Sequence, residues 1–450
     1  MNVFSTIKKS ELEGSLRIDA EYYQPEYLES KNILSRFETR PLSELSKISD
    51  GNHMMISESF LETGIRYLRG KDLNDFFISN DDPIYIPESE YRKLKRSYIF
   101  KDDILVSIVG TVGLVSIVAD AFDKLTGSCK IAILRSKEID PWFLSAFLLT
   151  RYGQHQIQRK TAGAVQMGII LKDLATLDIP VMSKKEQLGV KEIVQLSYKK
   201  NIENEKFYSQ AENLLLEELG LKNFESEIKR ELWNVVDLSE AKKVNRIDAD
   251  YFQPKYQKLM SLIRANSGIA FGELAMIKKG FEPGSEAYQE EGKTFIRVSS
   301  ISKDGVIDKD QKYLKEELYE KLKKDYQPKV GEILLTKDAS PGVAYVIKEP
   351  IEGIVSGGVL KVRTKENIEP EYLALVINSV IGQLQVERDA GGSIIMHWKL
   401  DQVKEMQIPI LPKPIQEKIA ELVRKSHEAR KKAKELLEEA KHKVEELIEK

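Results

Sequence analysis

The sequence predicts an α+β chain: two mixed α/β globular domains, each followed by a long helix, with the two helices pairing as an antiparallel coiled coil in an internal pseudo-twofold repeat. Three observations predict it. The stretch "RIDAEYYQPEY" from Arg17 is written again as "RIDADYFQPKY" from Arg246, and the same offset aligns most of the chain. Each copy mixes short β-branched runs with runs of helical periodicity. Each copy then ends, past a proline, in a long run whose apolar residues step by three or four.

In chain order, Phe4 aligns with Trp233, Ile7 with Val236 and Ser10-Glu11 with Ser239-Glu240. "PEYLESKNILSRF" opens on a proline, a favourable first helical residue, and reads as helix. "KDDILVSIVGTVGLVSIV" (101–118) lies over "VGEILLTKDASPGVAYVI" (330–347). Each is two strand-like runs around a glycine loop, expected to form a hairpin-like pair in an irregular or partly barrel-like sheet. "IDPWFLSAFLLTRYGQHQIQR" (139–159) lies over "IEPEYLALVINSVIGQLQVER" (368–388) and reads as one helix starting at proline. "LDIPVMSKKEQ" (177–187) and "MQIPILPKPIQ" (406–416) lead into the two tails. The boundaries predicted are a first domain over 1–183, a helix over 184–224, a second domain over 225–413 and a helix over 414–450. Two copies argue against a solenoid, which needs at least about three stacked repeats.

In the second tail, Ile415, Ile419, Leu422, Ser426, Ala429, Ala433, Leu436, Ala440, Val444 and Leu447 form a narrow seam. In the first, Leu188, Val194, Ile202, Tyr208, Ala211, Leu215 and Leu219 do similar work around a polar middle near Asn201 and Asn204. Gly220 suits the position just past the helix end. At 1.5 Å per residue, tails of this length make rods of about 45–55 Å.

The chain has 450 residues, a net charge of −2 and ordinary hydrophobic and charged content, 42% and 31%. No apolar run approaches the ~18 residues of a membrane span, and no secretory leader opens the sequence. Cys129 is the only cysteine, which excludes internal disulfides and thiolate clusters. A cytoplasmic protein is expected, and the charge balance favours no class of partner.

Catalytic patterns are absent. None of His53, His155, His397, His427 and His442 aligns with a histidine in the other copy, so no acid–base or metal site belongs to the repeated unit. "DPWF" (140–143) resembles the loop with which amino-methyltransferases grip an amine, but it lacks the second proline and aligns with "EPEY"; helix initiation explains it better. Asp102-Asp103 read as a turn before a strand. No phosphate-binding P-loop is present.

What remains are polar loops. "YLRGKDL" carries Arg69 and Lys71, and "YRKLKRSY" carries Arg92 and Lys93, opposite Lys321 in the other copy. "VGTVG" offers Thr111, where the other copy has Lys337 and Ser340. "QRKTAGAVQMG" offers Arg159, Lys160 and Gln166, against Arg388, Ser393 and His397 in "ERDAGGSIIMH". Arg297 completes the set of candidate DNA-contacting residues. Arginine and glutamine can make bidentate contacts to guanine and adenine edges, while lysines hold phosphates. The framework positions are shared and these loops differ, so one scaffold carries two readers.

Taken together, the "RIDAEYYQPEY"/"RIDADYFQPKY" pair, the "DDILVS"/"GEILLT" strands before a glycine loop, and the "IPVMSKKEQ"/"IPILPKPIQEKI" approaches to the helices resemble the specificity (S) subunit of type I restriction–modification systems. The second copy departs from the pattern where Ile415-Gln416 replaces Glu186-Gln187. The resemblance implies a non-catalytic, DNA-binding subunit. Two target-recognition domains would read the halves of a bipartite asymmetric site in double-stranded DNA. Paired helices would set the gap and dock two methyltransferase (modification) subunits. Those partners would carry S-adenosylmethionine, this chain holding no cofactor or metal, and restriction/translocase subunits would join them. Two alternatives stay open: a system whose partner fuses methyltransferase and nuclease, and a coiled-coil scaffold with no DNA role.

Overall fold

The computed structural model describes residues 5–12, 17–120, 122–163, 165–224, 233–307, 311–391 and 396–450. The chain forms two compact units, one of Met1–Ile202 with Arg430–Lys450, the other of Glu203–Ala429.

Unit 1 is built on three small sheets. Four antiparallel strands lie in the order Ser46–Asp50, Ile131–Ser136, Ile104–Ser107, Val115–Ile117. A mixed sheet orders Ile84–Ile86, Ile65–Leu68, Leu125–Gly127, the last pair parallel. Thr39–Pro41 pairs with Asp178–Pro180. The hairpin expected around "VGTVG" is present, with Ile104 opposite Ile117. Where one irregular or partly barrel-like sheet is expected, the strands, three to six residues long, form these separate sheets.

Unit 2 repeats the plan. Its four-stranded sheet orders Ala275–Lys279, Val359–Thr364, Ile333–Thr336, Ala344–Val346. Its mixed sheet orders Lys312–Leu314, Lys293–Ile296, Gly353–Val355. Ile269–Ala270 pairs with Gln407–Ile408. Structural equivalence shortens the offset by one residue at the strands beginning at Ile65, Leu125 and Ile131, so Arg69 and Arg297 occupy the same place, each opening a 3-10 turn after a strand.

The run expected as one helix from Pro141 is two, Pro141–Leu149 and Arg151–Lys160. Thr150 turns extended and accepts a hydrogen bond from the Gly153 amide, capping the second helix. A Cβ at Gly153 would fall 2.5 Å from the Phe147 carbonyl oxygen, so the break needs glycine; Gly382 stands 2.1 Å from the Ile377 oxygen in the same sense. Asp140 of "DPWF" caps the first helix, accepting from the Trp142 and Phe143 amides.

The long helices run Lys184–Glu218 and Lys413–Glu449. In unit 1 their segments run antiparallel, the Ser197 hydroxyl donating to the Ala433 carbonyl and Lys443 to that of Gly189. Val190, Val194, Ala440, Val444 and Ile448 join Phe143, Phe147 and Tyr152 in one core. In unit 2 the Ser426 hydroxyl meets Asn204 Oδ1 at 2.7 Å, and Ala211, Leu215, Ile419 and Val423 join the core around Tyr372 and Trp398. Leu188 and Ile202, expected on the seam, are about half exposed. Val190, Ser197 and Asn204 hold those positions instead.

Candidate nucleic-acid interface

The repeated motif closes on itself. Arg17 makes two hydrogen bonds to Asp19, whose carboxylate also accepts from the Tyr22 amide; Arg246, Asp248 and Tyr251 do the same. The guanidinium of Arg17 lies 4.6 Å from the Tyr22 ring centroid, and that of Arg159 lies 4.2 Å from it. In unit 2, Arg246 and Arg388 lie 4.5 and 5.4 Å from Tyr251. Arg159 also donates to the Tyr22 carbonyl at 2.9 Å and is buried. Its candidate role as a base contact is therefore corrected: the side chain is spent holding the Arg17 motif against helix Arg151–Lys160. Arg388 is mostly buried and bonded to Asp389 beside Tyr251, so the same correction applies.

Shared side chains hold the glycine loops. Gln154 donates to the carbonyls of Gly113 and Leu148, and Gln383 to those of Gly342 and Ile377. The Ser107 hydroxyl donates to the Thr111 carbonyl, and Thr336 to that of Ser340, both at 2.6 Å. Gln156 and Gln385 clamp the backbone of Asp178 and Gln407. These glutamines recur because they position the loops.

In unit 1 four loops gather at one end of the four-stranded sheet, since Asp50 pairs with Ala132 and Ser107 with Ile131. They are the loop after Asp50, the turn before Ile131, the glycine loop after Ser107 and the loop after helix Arg151–Lys160. The last two join where the Gly110 amide donates to the Met167 carbonyl and Ala162 and Gly168 exchange backbone bonds. Lys130 is exposed here, and Gly70 lies beside its Cβ, which brings in Arg69 and Lys71. Arg69 is held by Asp72 and Asp82, and Lys71 by Asp82. Asp50 receives His53 and Arg96, both at 2.6 Å. Burial works to raise the Asp50 pKa, but the hydrogen bond from His53 and the charge of Arg96 outweigh it and hold the carboxyl below its ordinary range.

Unit 2 gathers its loops in the same way around a cleft of about 610 Å³ lined by Phe281, Glu282, Tyr288, Phe295, Arg297 and Ser340 among others. Gly391 and His397 exchange backbone bonds, and the Ala339 amide donates to the Met396 carbonyl. Asp338 bridges Lys337 at 2.5 Å and His397 at 2.8 Å. Burial again opposes ionisation of Asp338, and the hydrogen bonds from Lys337 and His397 prevail, lowering its pKa.

The structure thus brings together Arg69, Lys71, Thr111 and Gln166 in unit 1, and Arg297, Lys337, Ser340 and His397 in unit 2. It leaves four others elsewhere. Arg92 pairs with Glu88, itself tied to Lys124 at the opposite end of strand Leu125–Gly127. Lys93 pairs with Glu90. Lys321 is exposed on helix Glu316–Tyr326. Lys160 reaches Thr176. Ser393 lies outside the described residues. Sequence reading missed His53, Asp50, Arg96, Lys130, Glu282 and Asp338, which only the sheet register places at these ends. Among the described residues no group of acidic, histidine or cysteine side chains could hold a metal, and no helix is long and apolar enough to cross a membrane.

One α/β unit is used twice, with a shared frame and unlike loop inventories at the equivalent sheet end of each. The chain belongs to the family of the type I restriction modification DNA specificity domain, which matches residues 35–212 and 269–440. It is similar to the type I restriction-modification S subunit from M. genitalium, at 16% identity over 92% of this chain and 95% of that one, TM-score 0.43. It is similar also to the HsdS subunit from Thermoanaerobacter tengcongensis, at 13% identity over 91% and 95%, TM-score 0.31. A comparison with curated proteins returned no match.

Proposed function

We propose that this chain is the specificity subunit of a restriction–modification complex, each unit reading one half of a bipartite, asymmetric DNA site. The observation that carries this is the pair of sheet ends. Gln154/Gln383, Ser107/Thr336 and the paired loop backbones are the same in both, whereas the groups presented differ. Thr111, Gln166 and Lys130 stand in one; Ser340, His397 and Glu282 stand in the other. Donors and acceptors of these types discriminate base pairs in the major groove, and the lysines engage phosphates. Catalysis is assigned to partners: two methyltransferase subunits using S-adenosylmethionine, with restriction/translocase subunits for cleavage. Leu188, Leu196 and Ile202, each about half exposed along helix Lys184–Glu218, support docking of such partners there.

The test is methylation of duplex libraries by this chain assembled with its methyltransferase. Gln166→Ala is expected to relax one base position of one half-site by about tenfold, a bidentate contact being worth ~1–3 kcal/mol, and to leave the other half unchanged. Methylation independent of sequence by the wild-type assembly would sink the reading.

A further inference from the structure

On the flank of unit 2, a groove of about 360 Å³ lies between edge strand Ala275–Lys279 and the end of helix Glu316–Tyr326. Lys278, Lys324, Lys329, Lys361 and Arg363 line it, against two carboxylates, Asp325 and Glu332. Asp325 binds Lys278 and Glu332 binds Arg363, so Lys324, Lys329 and Lys361 are an excess of positive charge in a chain whose net charge is −2. Lys361 is only 8% exposed, and its ammonium donates to the Gln327 carbonyl oxygen at 3.0 Å, which uses one of its three donors. Burial lowers the Lys361 pKa, and the charges of Lys278, Lys329 and Arg363 lower it further against the pull of Glu332. An anion in the groove would relieve that repulsion.

Unit 1 uses the same frame without the charge. Arg135 binds Asp103 as Arg363 binds Glu332, and the two carboxylates also accept from the Phe100 and Lys329 amides. Around this shared pair the residues differ. Ser49 pairs with Ile133 in the register where Lys278 pairs with Lys361, and Phe100 stands where unit 2 has Lys329. Ile133 is 1% exposed, in an apolar cluster with Leu105, Leu125 and Ile131. Isoleucine thus fills this position at no electrostatic cost, whereas a nearly buried ammonium must be desolvated. The fold does not require the lysine, and a ligand would. The place of the groove indicates which one. Lys279, the residue after Lys278, pairs with Leu360 at the sheet end and binds Glu282 on the cleft there, so the groove adjoins the proposed base-reading end. Lysine is a point charge without a bidentate fork, suited to hold a phosphate whatever the base beside it.

We propose that this groove holds a backbone phosphate of double-stranded DNA flanking the half-site read by unit 2, a contact that unit 1 does not make at its equivalent position. This rests on the reading of the chain as a DNA specificity subunit. The experiment measures binding by the full chain assembled with its methyltransferase, on the cognate duplex over a range of salt and on duplexes carrying single neutral methylphosphonates. Lys278→Ser with Lys361→Ile, which copies unit 1, is expected to keep the recognised sequence, to weaken binding about tenfold and to reduce the salt slope by about one. Neutralising the contacted phosphate beside the unit 2 half-site is expected to weaken the wild type but not the variant, while phosphates beside the unit 1 half-site matter equally in both. Lys324→Ala with Lys329→Ala, at two exposed positions, is expected to act in the same direction and guards against misfolding of the first variant. Unchanged affinity and salt slope in both variants would overturn the proposal. So would weakening that no flanking phosphate shares, or loss of the methyltransferase with DNA contacts intact, which would make the groove the seat of an acidic protein segment. A wild-type assembly with no sequence-dependent binding overturns the underlying function and is distinguished by that control.

Discussion

At the residue scale, the repeated eleven letters are a structural latch. Arg17, Asp19 and Tyr22 lock one another, and Arg159 reaches back from a helix 137 residues later to stack on Tyr22 and bond its carbonyl. Arg159→Ala is expected to destabilise unit 1 by about 2–3 kcal/mol, the cost of losing a buried charge-assisted hydrogen bond and a cation–π contact, without altering the methylated motif; denaturant unfolding and motif mapping check the two halves of that statement. Lys130→Ala is expected to weaken DNA binding evenly across sequences and to reduce the salt slope by about one, read from affinity against ionic strength. Gln154, Gln156 and Arg159 recur as Gln383, Gln385 and Arg388, yet residue type alone makes Arg159 look like a base contact. A guanidinium serves both roles, and only burial separates them. Gln166, which does not recur, stands exposed at the sheet end.

At the element scale, strands and helices were legible where local signals were strong: proline at the helix starts, β-branched runs around the glycine loops, proline before each long helix. The break at Thr150 was not, because the apolar periodicity runs straight through it and the interruption comes from a cap and a close backbone approach. The seam of the first long helix departs from its apolar pattern at Leu188 and Ile202, which stay about half exposed, because apolarity alone does not decide burial. The helix instead buries Ser197 and Asn204, each satisfied by a partner on the second helix. Such a buried polar pair can fix register. The second helix is tied to unit 2 by Arg424, which binds both Glu369 and Glu371, with Lys413 on Glu369 and Lys348 on Glu371. Glu371 is buried, which works to raise its pKa, but hydrogen bonds from Arg424 and Lys348 lower it below the carboxylate range; Lys413 and then Arg424 lower that of Glu369 against burial. Depressed pKa values contribute stability that is present above the unfolded values and lost as pH falls through the folded ones. Unit 2 is therefore expected to keep this contribution at neutral pH and lose it below about pH 4.5. Glu371→Gln should cost about 1–2 kcal/mol at pH 7, discounted for the partly exposed Arg424, and should flatten the acid limb of stability against pH.

At the scale of the whole molecule, each unit closes its core with helix segments distant in sequence. Residues 430–450 complete unit 1, where Ala440, Val444 and Ile448 are buried and Arg151 and Tyr152 bind Glu449. A chain ending at Ala429 gives up about 1.5–3 kcal/mol for each large aliphatic side chain lost from that core. It is expected to lose recognition of the half-site read by unit 1 before that read by unit 2, as limited proteolysis and half-site binding would show. The repeat made the two-unit plan and its family resemblance visible in the sequence, but not this division, since residues joined at opposite ends of the chain leave no local signal. The central claim, that two unlike sheet ends direct methylation to a two-part site, is tested most directly by long-read mapping of N6-methyladenine in the source DNA with this gene intact and deleted. The account predicts loss of a single motif with two dissimilar halves around a fixed gap. Every motif surviving the deletion, with the partner methyltransferase active, would contradict it.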